Sequence, residues 1–242
     1  MAKSEHIHIV GESPLVEEYS TLCRSRGYAV AVRFNPGSSG TLQRGVKKAT
    51  TALKTTATAL ELTNTSPDIK KKNLIALDKA LPAHVPIISS SLTVTVVEQS
   101  TWIKQPARLI GVGALPSLLD GSLIEFAASH ATNKQTLTKA TEFASSLGKE
   151  SAVVQDSIGL VMPRILCMLV NEAYFAMMEG VATAADIDTA MKLGTNYPHG
   201  PVEWAEKIRL KHVHAVLSAL HKHFGEDRYR IAPLLQHTAL RN

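Results

Sequence analysis

The chain has 242 residues, of which 45% are hydrophobic and 19% charged, with a formal net charge of +5. This composition excludes wholesale disorder, and no apolar run approaches the roughly 20 residues that span a bilayer. Aromatic residues, at 5%, are too few for a base-stacking platform, so neither nucleic acid nor membrane is an expected partner.

Residues 6–10 (HIHIV) read as a strand that ends at Gly11. Residues 14–26 follow as a helix with Leu15, Tyr19, Leu22 and Cys23 on one side. Ser13 is its expected N-cap, Pro14 suits the first helical position, and Gly27 stops it. Residues 28–34 (YAVAVRF) form the next strand and 35–40 (NPGSSG) a loop. Residues 41–56, rich in Lys, Ala and Thr, read as a connecting helix. A strand is expected over 57–62, a helix over 68–81 and a short strand over 85–89. A helical stretch then runs to about Trp102. Strands at 108–112 and 123–126, a helix over 136–147 and a strand over 151–155 complete the series. Alternating strands and helices predict an α/β fold, a Rossmann-like doubly wound parallel sheet covered on both faces.

After Asp156 the strand pattern stops. Helices are expected over 158–178, 183–193, 201–210 and 211–224, with Thr183 capping the second and Gly200-Pro201 opening the third. The expected organisation is therefore an α/β domain over 1–155 and an all-helical domain over 156–242. The N-terminus, MAKSEHIHIV, lacks the pattern of a signal peptide. Cys23 and Cys167 are too few for a disulfide framework, so reduced thiols and a cytoplasmic location are expected. The one tight basic run, Lys70 to Lys72, reads either as a patch for a phosphate-bearing partner or as a solvated helix face. His212, His214, His221 and His223 invite a metal hypothesis, but His212 and His214 point apart on a helix, so no metal site is expected.

The helical half carries a specific text: Asn171-Glu172-Ala173, Glu179-Gly180-Val181-Ala182-Thr183, Asp186-Ile187-Asp188, Ala190-Met191-Lys192-Leu193-Gly194, Asn196-Tyr197-Pro198-His199-Gly200-Pro201 and Arg228-Tyr229-Arg230. It closely resembles the C-terminal domain of the L-3-hydroxyacyl-CoA dehydrogenases, the 3-hydroxybutyryl-CoA dehydrogenase branch in particular. The resemblance implies a Rossmann-like domain joined to a helical dimerisation domain, hence a homodimer in fatty acid metabolism. It implies NAD as cofactor and oxidation of a 3-hydroxyacyl-CoA to the 3-oxoacyl-CoA. In the family a histidine takes the hydroxyl proton, a glutamate orients it, and a serine and an asparagine hold the substrate oxygen. Those roles need a near-neutral base, an orienting carboxylate and donors at the oxygen that changes charge.

Carried over residue by residue, Ser90 falls on the active serine within Ser89-Ser90-Ser91-Leu92, and Glu125 on the orienting glutamate. Ser90 reads equally as a helix cap, and Glu125 as a surface or capping residue. The base position reads Gly113, in Gly113-Ala114-Leu115-Pro116-Ser117, and the asparagine position reads Pro163. Neither can perform the family role. Of the glycine fingerprint that cradles a dinucleotide, only Gly11 remains, in Gly11-Glu12-Ser13-Pro14-Leu15-Val16. Glu12, Glu17 and Glu18 are expected to oppose a pyrophosphate. Lys70 matches a family lysine near the cofactor, and Glu61 a glutamate on the preceding strand. Phe34 and Asn35 stand where an acidic ribose ligand belongs. The candidate site residues are thus Ser90 and Glu125 for catalysis, and Gly11 and Lys70 for the cofactor. Three readings follow: a non-catalytic member that keeps the fold and the dimer and binds an acyl-CoA or a protein partner; an active dehydrogenase whose base is His84 or His130; and an acyl-CoA lyase or isomerase working through Glu125.

Overall fold

The computed structural model describes residues 5–52 and 55–241. Strand β1 (His6–Gly11) is followed by α1 (Leu15–Ser25), β2 (Ala29–Phe34), β3 (Lys47–Lys48), β4 (Thr56–Leu62), α2 (Pro67–Ala80), β5 (Ile87–Ser90) and α3 (Val96–Ser100). Then come β6 (Leu109–Val112), β7 (Leu123–Ala127), α4 (Lys134–Ser146) and β8 (Glu150–Val154). The strands form one eight-stranded sheet in the order β3-β2-β1-β4-β5-β6-β7-β8. Crossovers either side of β1 make its carboxyl end the topological switch point, where open α/β sheets place ligands.

Side-chain alternation sorts the core into two layers. Ile7, Ile9, Leu60, Ile88 and Ile110 pack with Leu15, Tyr19 and Cys23 of α1 and with Ala140, Phe143 and Ala144 of α4. Val10, Ala59, Ile87 and Leu109 point the other way, to Leu74 and Leu77 of α2 and Val96 of α3. The period of two along each strand is what lets one sheet bury both faces.

The remaining helices are α5 (Met162–Met178), α6 (Ala184–Thr195), α7 (Pro201–Ile208), α8 (Leu210–Phe224) and α9 (Pro233–Arg241). Leu166, Cys167, Val170 and Tyr174 of α5 meet Ala205, Val213, Leu217 and Leu235 of α7, α8 and α9. Thr183 caps α6 by accepting from the Asp186 amide. Asp188 accepts from the Val202 and Glu203 amides at 2.8 and 3.0 Å, which seats the start of α7. Gly200 is required there, since a Cβ would lie 2.4 Å from the Asp188 Cα.

Several expectations are corrected. Residues 41–52 form turns and the short β3 instead of a helix, with Gly45 at φ +90°. The segment has no apolar stripe wide enough to bury a helix face; residues 53–54 lie outside the described residues. Ser13 does not cap α1; its hydroxyl donates to Glu17 Oε1 at 2.7 Å. Helix α5 begins at Met162, not 158, because Gly159 and Leu160 both take positive φ. The break expected between helices 201–210 and 211–224 falls slightly earlier, with α7 ending at Ile208, α8 starting at Leu210 and Arg209 between them at φ +67°. The sheet is not wholly parallel either: β7 runs antiparallel to β6. The link over 113–122 is shorter than the dozen or more residues a parallel crossover takes, and it turns back directly.

One buried clamp holds the amino end of β6 to the carboxyl end of α2. The Arg108 guanidinium donates to Asp78 Oδ1 at 2.8 Å and to the carbonyls of Asp78, Leu81 and Pro82 at 2.5, 3.0 and 2.6 Å. Among the described residues, truncating it removes the only cation beside the buried Asp78 carboxylate, which keeps just the Lys104 amide, and takes a charged donor from three carbonyls. Arg108→Ala is expected to cost about 3–5 kcal/mol, read as a lower urea midpoint at unchanged m. Arg108→Lys should recover only part of this, since a point ammonium cannot fork across the helix end; full recovery would refute the clamp.

Candidate functional site

Gly11 ends β1 against β4, and a Cβ on it would lie 2.5 Å from the Leu62 carbonyl oxygen. Close approach of the two strands therefore requires glycine at this position. The next residue, Glu12, continues the pairing by donating its amide to Leu62 O at 3.1 Å. Its carboxylate turns into the loop between β4 and α2. It accepts from the Asn64 amide at 2.7 Å, the Thr65 amide at 3.1 Å and the Thr65 hydroxyl at 2.5 Å. Three donors offset the cost of burying that charge.

Asn64 passes the network onward. Its Nδ2 donates to the Ala114 carbonyl at 2.8 Å, and its Oδ1 accepts from the Ser90 hydroxyl at 2.6 Å. Ser90 is fully buried at the end of β5. It caps no helix, since Thr95 caps α3. From α8, the fully buried His212 places Nδ1 3.4 Å from Glu12 Oε1. Burial holds its pKa down at about 3, helped by Lys211 and Arg209 and opposed by the Ser13 backbone. The imidazole is therefore neutral at pH 7, and the contact with Glu12 is not an ion pair.

Lys70 lies under this layer. Its ammonium contacts Glu61 Oε2 at 2.5 Å and donates to the Ser90 carbonyl at 2.8 Å, with neither charged side chain exposed. Asn73 and Ser89 complete the carboxylate's shell. Lys70 thus meets Ser90 only through the backbone and presents nothing to the cleft. Of the basic run, only Lys71 and Lys72 form a solvated face.

Glu125 sits on β7 beside Gly113, whose amide donates to the Glu125 carbonyl at 2.9 Å. Its carboxylate accepts from the Val161 and Met162 amides at 3.0 and 2.8 Å, so it caps α5. A Cβ at Gly113 would meet Glu125, Leu160 and Pro163 atoms at 3.5, 3.5 and 3.6 Å, ordinary contact distances. A cavity of about 240 Å³ adjoins, lined by Gly113, Leu115, Leu118, Glu125, Met162 and Pro163 among others. Space for a side chain is present, but no proton acceptor projects into it from residue 113 or 163.

His84 precedes β5, and His130 lies between β7 and α4. Both are exposed at the amino ends of the parallel strands. The Glu12–Asn64–Ser90 network stands at their carboxyl ends, across the thickness of the sheet. Neither histidine reaches Glu125 or Ser90. Among the described residues, no group of three His, Cys, Asp or Glu side chains is placed to hold a metal ion.

A larger cleft of about 710 Å³ opens beside Asn64 and Thr65, between the loop after β5 (Thr93, Val94) and α8. Lys211, His214 and Lys222 rim it, with Ala215 and Ala219 on its floor and Glu98 opposite. Asn64 and His212 do not stand out as single residues in the sequence. His212 does share the helical spacing of Val216 and Leu220, which marks it as inward-facing.

A dinucleotide cradle needs bare backbone N–H groups at the β1–α1 turn. Here the Glu12 amide is spent on Leu62, the Ser13 amide donates to Ser38 Oγ at 2.9 Å, and Pro14 has none. The Glu12 carboxylate adds a negative charge. The residues present do not fit a pyrophosphate.

Buried titratable groups give the fold opposed pH responses. His212 and His8, the latter held at about 4 by burial and Arg33, bind fewer protons folded than unfolded below pH 6.5. Stability therefore falls as pH drops below 6.5. Burial, with Asp120 and Glu17 nearby, pushes Glu18 up to about 7 against the Ser117 amide and Arg209. The folded state then binds the extra proton between pH 7 and 4.5, so this group alone makes stability rise as pH falls. Glu18→Gln is expected to raise the melting temperature at pH 8 and to steepen its decline between pH 7 and 5. A flat profile for that variant would contradict the assignment.

Residues 15–157 match the family model described as "3-hydroxyacyl-CoA dehydrogenase, NAD binding domain", and residues 159–242 match "3-hydroxyacyl-CoA dehydrogenase, C-terminal domain". The 3-hydroxybutyryl-CoA dehydrogenase of Clostridioides difficile is 32% identical over 168 residues, covering 69% of this chain and 60% of that protein. The enzyme of the same description from Bradyrhizobium diazoefficiens is 31% identical over 168 residues, covering 69% and 57%. The matched segment thus spans less than two thirds of the length of these relatives. Among solved structures, the (S)-3-hydroxybutyryl-CoA dehydrogenase PaaH1 from Ralstonia eutropha superposes with a TM-score of 0.78 at 24% identity, covering 99% of this chain and 94% of that one. FadB2 of M. tuberculosis gives 0.82 at 19%, covering 98% and 94%, which speaks to fold alone. With the two family models matched in succession over 15–157 and 159–242, across a Rossmann-like sheet and its helical partner, the chain belongs to the 3-hydroxyacyl-CoA dehydrogenase family.

Proposed function

We propose that this chain binds an acyl-CoA thioester in the α8 cleft and does not turn it over as a dehydrogenase at ordinary enzyme rates. The family reaction is NAD-dependent oxidation of a 3-hydroxyacyl-CoA. The observation that carries the reading is Gly113 beside Glu125. The position that needs a proton acceptor has no side chain, and the carboxylate that would orient it is engaged by two α5 amides. Pro163 adds no donor for the substrate oxygen. General-base chemistry alone typically contributes about 100- to 10,000-fold. The same two amide bonds make Glu125 a structural cap that holds the start of α5, which favours this reading over a lyase or isomerase working through it.

Lys211 and Lys222 on the cleft rim suit the phosphates of a CoA, and the apolar floor suits its acyl chain. The same reading divides the chain near 156, with the Rossmann-like part before it and a dimerising helical part after it. Ile165, Val181 and Leu193 are 55%, 72% and 84% exposed, which favours a homodimer through that half. Cys23 and Cys167 are buried and unpaired, in keeping with a cytoplasmic setting. No helix among the described residues is long and apolar enough to cross a membrane.

Acetoacetyl-CoA is expected to raise the melting temperature of the wild type, since a ligand that binds only the folded state must do so. The double replacement Lys211→Glu and Lys222→Glu should abolish that rise. NADH consumption should stay far below about 1 per second. Gly113→His should fold with its urea midpoint little changed, because a Cβ there meets only ordinary contacts and a cavity of about 240 Å³ adjoins it. Turnover of acetoacetyl-CoA by the wild type at 1 per second or more, or no thermal shift with that ligand, would overturn the reading.

A further inference from the structure

The turn after β1 is closed by the chain itself, on residues separate from those that argue against turnover. We infer that Glu12 acts as an internal anion beside that turn, its carboxylate taken up by the β4–α2 loop at the switch point where a dinucleotide pyrophosphate would have to lie, so that the chain is a cofactor-free member of its family.

Three independent contacts support this. Three of the donors at this turn are consumed: Glu12 N–H by Leu62 O, Ser13 N–H by Ser38 Oγ, and Val16 N–H by the Glu12 carbonyl at 3.1 Å. Pro14 contributes none. The loop between β2 and β3 also lies across the start of α1. A Cβ on Gly40 would overlap the Glu17 carboxylate, and Glu17 is held in turn by the Ser13 hydroxyl. The positive end of the helix is therefore already matched to a carboxylate.

The Glu12 carboxylate itself is 5% exposed and reaches two backbone amides and a hydroxyl of the β4–α2 loop. His212 closes over it from α8. Its neutrality adds bulk without positive charge, so the site attracts no second anion. A dinucleotide entering here would have to displace Ser38, break the Glu12 contacts and move α8 together.

The test is NADH binding, read by fluorescence titration and by melting temperature, with inorganic pyrophosphate as a second probe. The wild type is expected to show no saturable NADH binding up to about 1 mM and no thermal response to pyrophosphate. The double variant Glu12→Gly, Ser38→Ala removes the internal anion and frees the Ser13 amide. It is expected to melt lower and to bind NADH at least tenfold more tightly than the wild type. Should that variant fail to fold, Glu12→Gln, Ser38→Ala keeps the shape of the carboxylate without its charge and should gain a smaller but measurable NADH affinity. Micromolar NADH binding by the wild type would overturn the inference, as would a folded variant with no gain. Either result leaves the reading of lost turnover standing, because that rests on Gly113 and Pro163.

Discussion

The buried Glu12 carboxylate is the constraint on which the rest of the site depends. An ionised carboxylate out of water is tolerated only when its acceptor capacity is filled. Here the loop between β4 and α2 supplies the donors, two of them backbone amides. This fixes the loop, and through Asn64 it fixes the end of β5 at Ser90 and the β6–β7 link at Ala114. Four strand ends are therefore registered to one side chain at the switch point. In an open α/β sheet that point is where strand geometry leaves a crevice, and here the crevice is filled from within.

The second half of the site has undergone a comparable change of use. Glu125 lies where an orienting carboxylate would serve a base, yet its oxygens face the first amides of α5. Those amides have no partner within the helix and would otherwise be orphaned in a partly buried junction. The left-handed residues Gly159 and Leu160 turn the chain so that the amides point at Glu125. A side chain that resembles catalytic machinery in sequence thus seats the helical half on the sheet.

Much of the fold was legible from the residues alone. Period-two apolar runs located β1, β2 and β4 to within a residue or two, and Thr183 and Pro201 are the local chemistry that starts their helices. The segment over 41–52 misled because its Lys and Ala suit a helix by propensity, while Thr does not and no face is offered for burial. The turn-back of β7 was hidden because a short strand looks the same in either direction; only the length of the preceding link distinguishes them. In the site, that Gly113 and Pro163 carry no side-chain donor or acceptor is plain from the residues themselves, since an absent group needs no geometry. What Glu12, Ser90 and Lys70 do is not, because each is satisfied by partners on other elements, 9 to 53 positions away, that no local pattern connects.

Lys70 illustrates why position in a motif and access to a ligand are separate matters. Its ammonium and the Glu61 carboxylate neutralise each other with no exposure, and Ser89, Asn73 and the Ser90 carbonyl complete the shell. Removing one partner of such a pair leaves an uncompensated buried charge, at a cost of about 3–5 kcal/mol, whereas replacing both with well-packed apolar groups is often neutral. The pair is therefore locked by mutual dependence, whatever lies above it. The stability it lends to the ends of β4 and β5 does not require a cofactor. A lysine and a glutamate at these positions are evidence for the scaffold, while the chemistry of the cleft has to be argued from the groups that reach it.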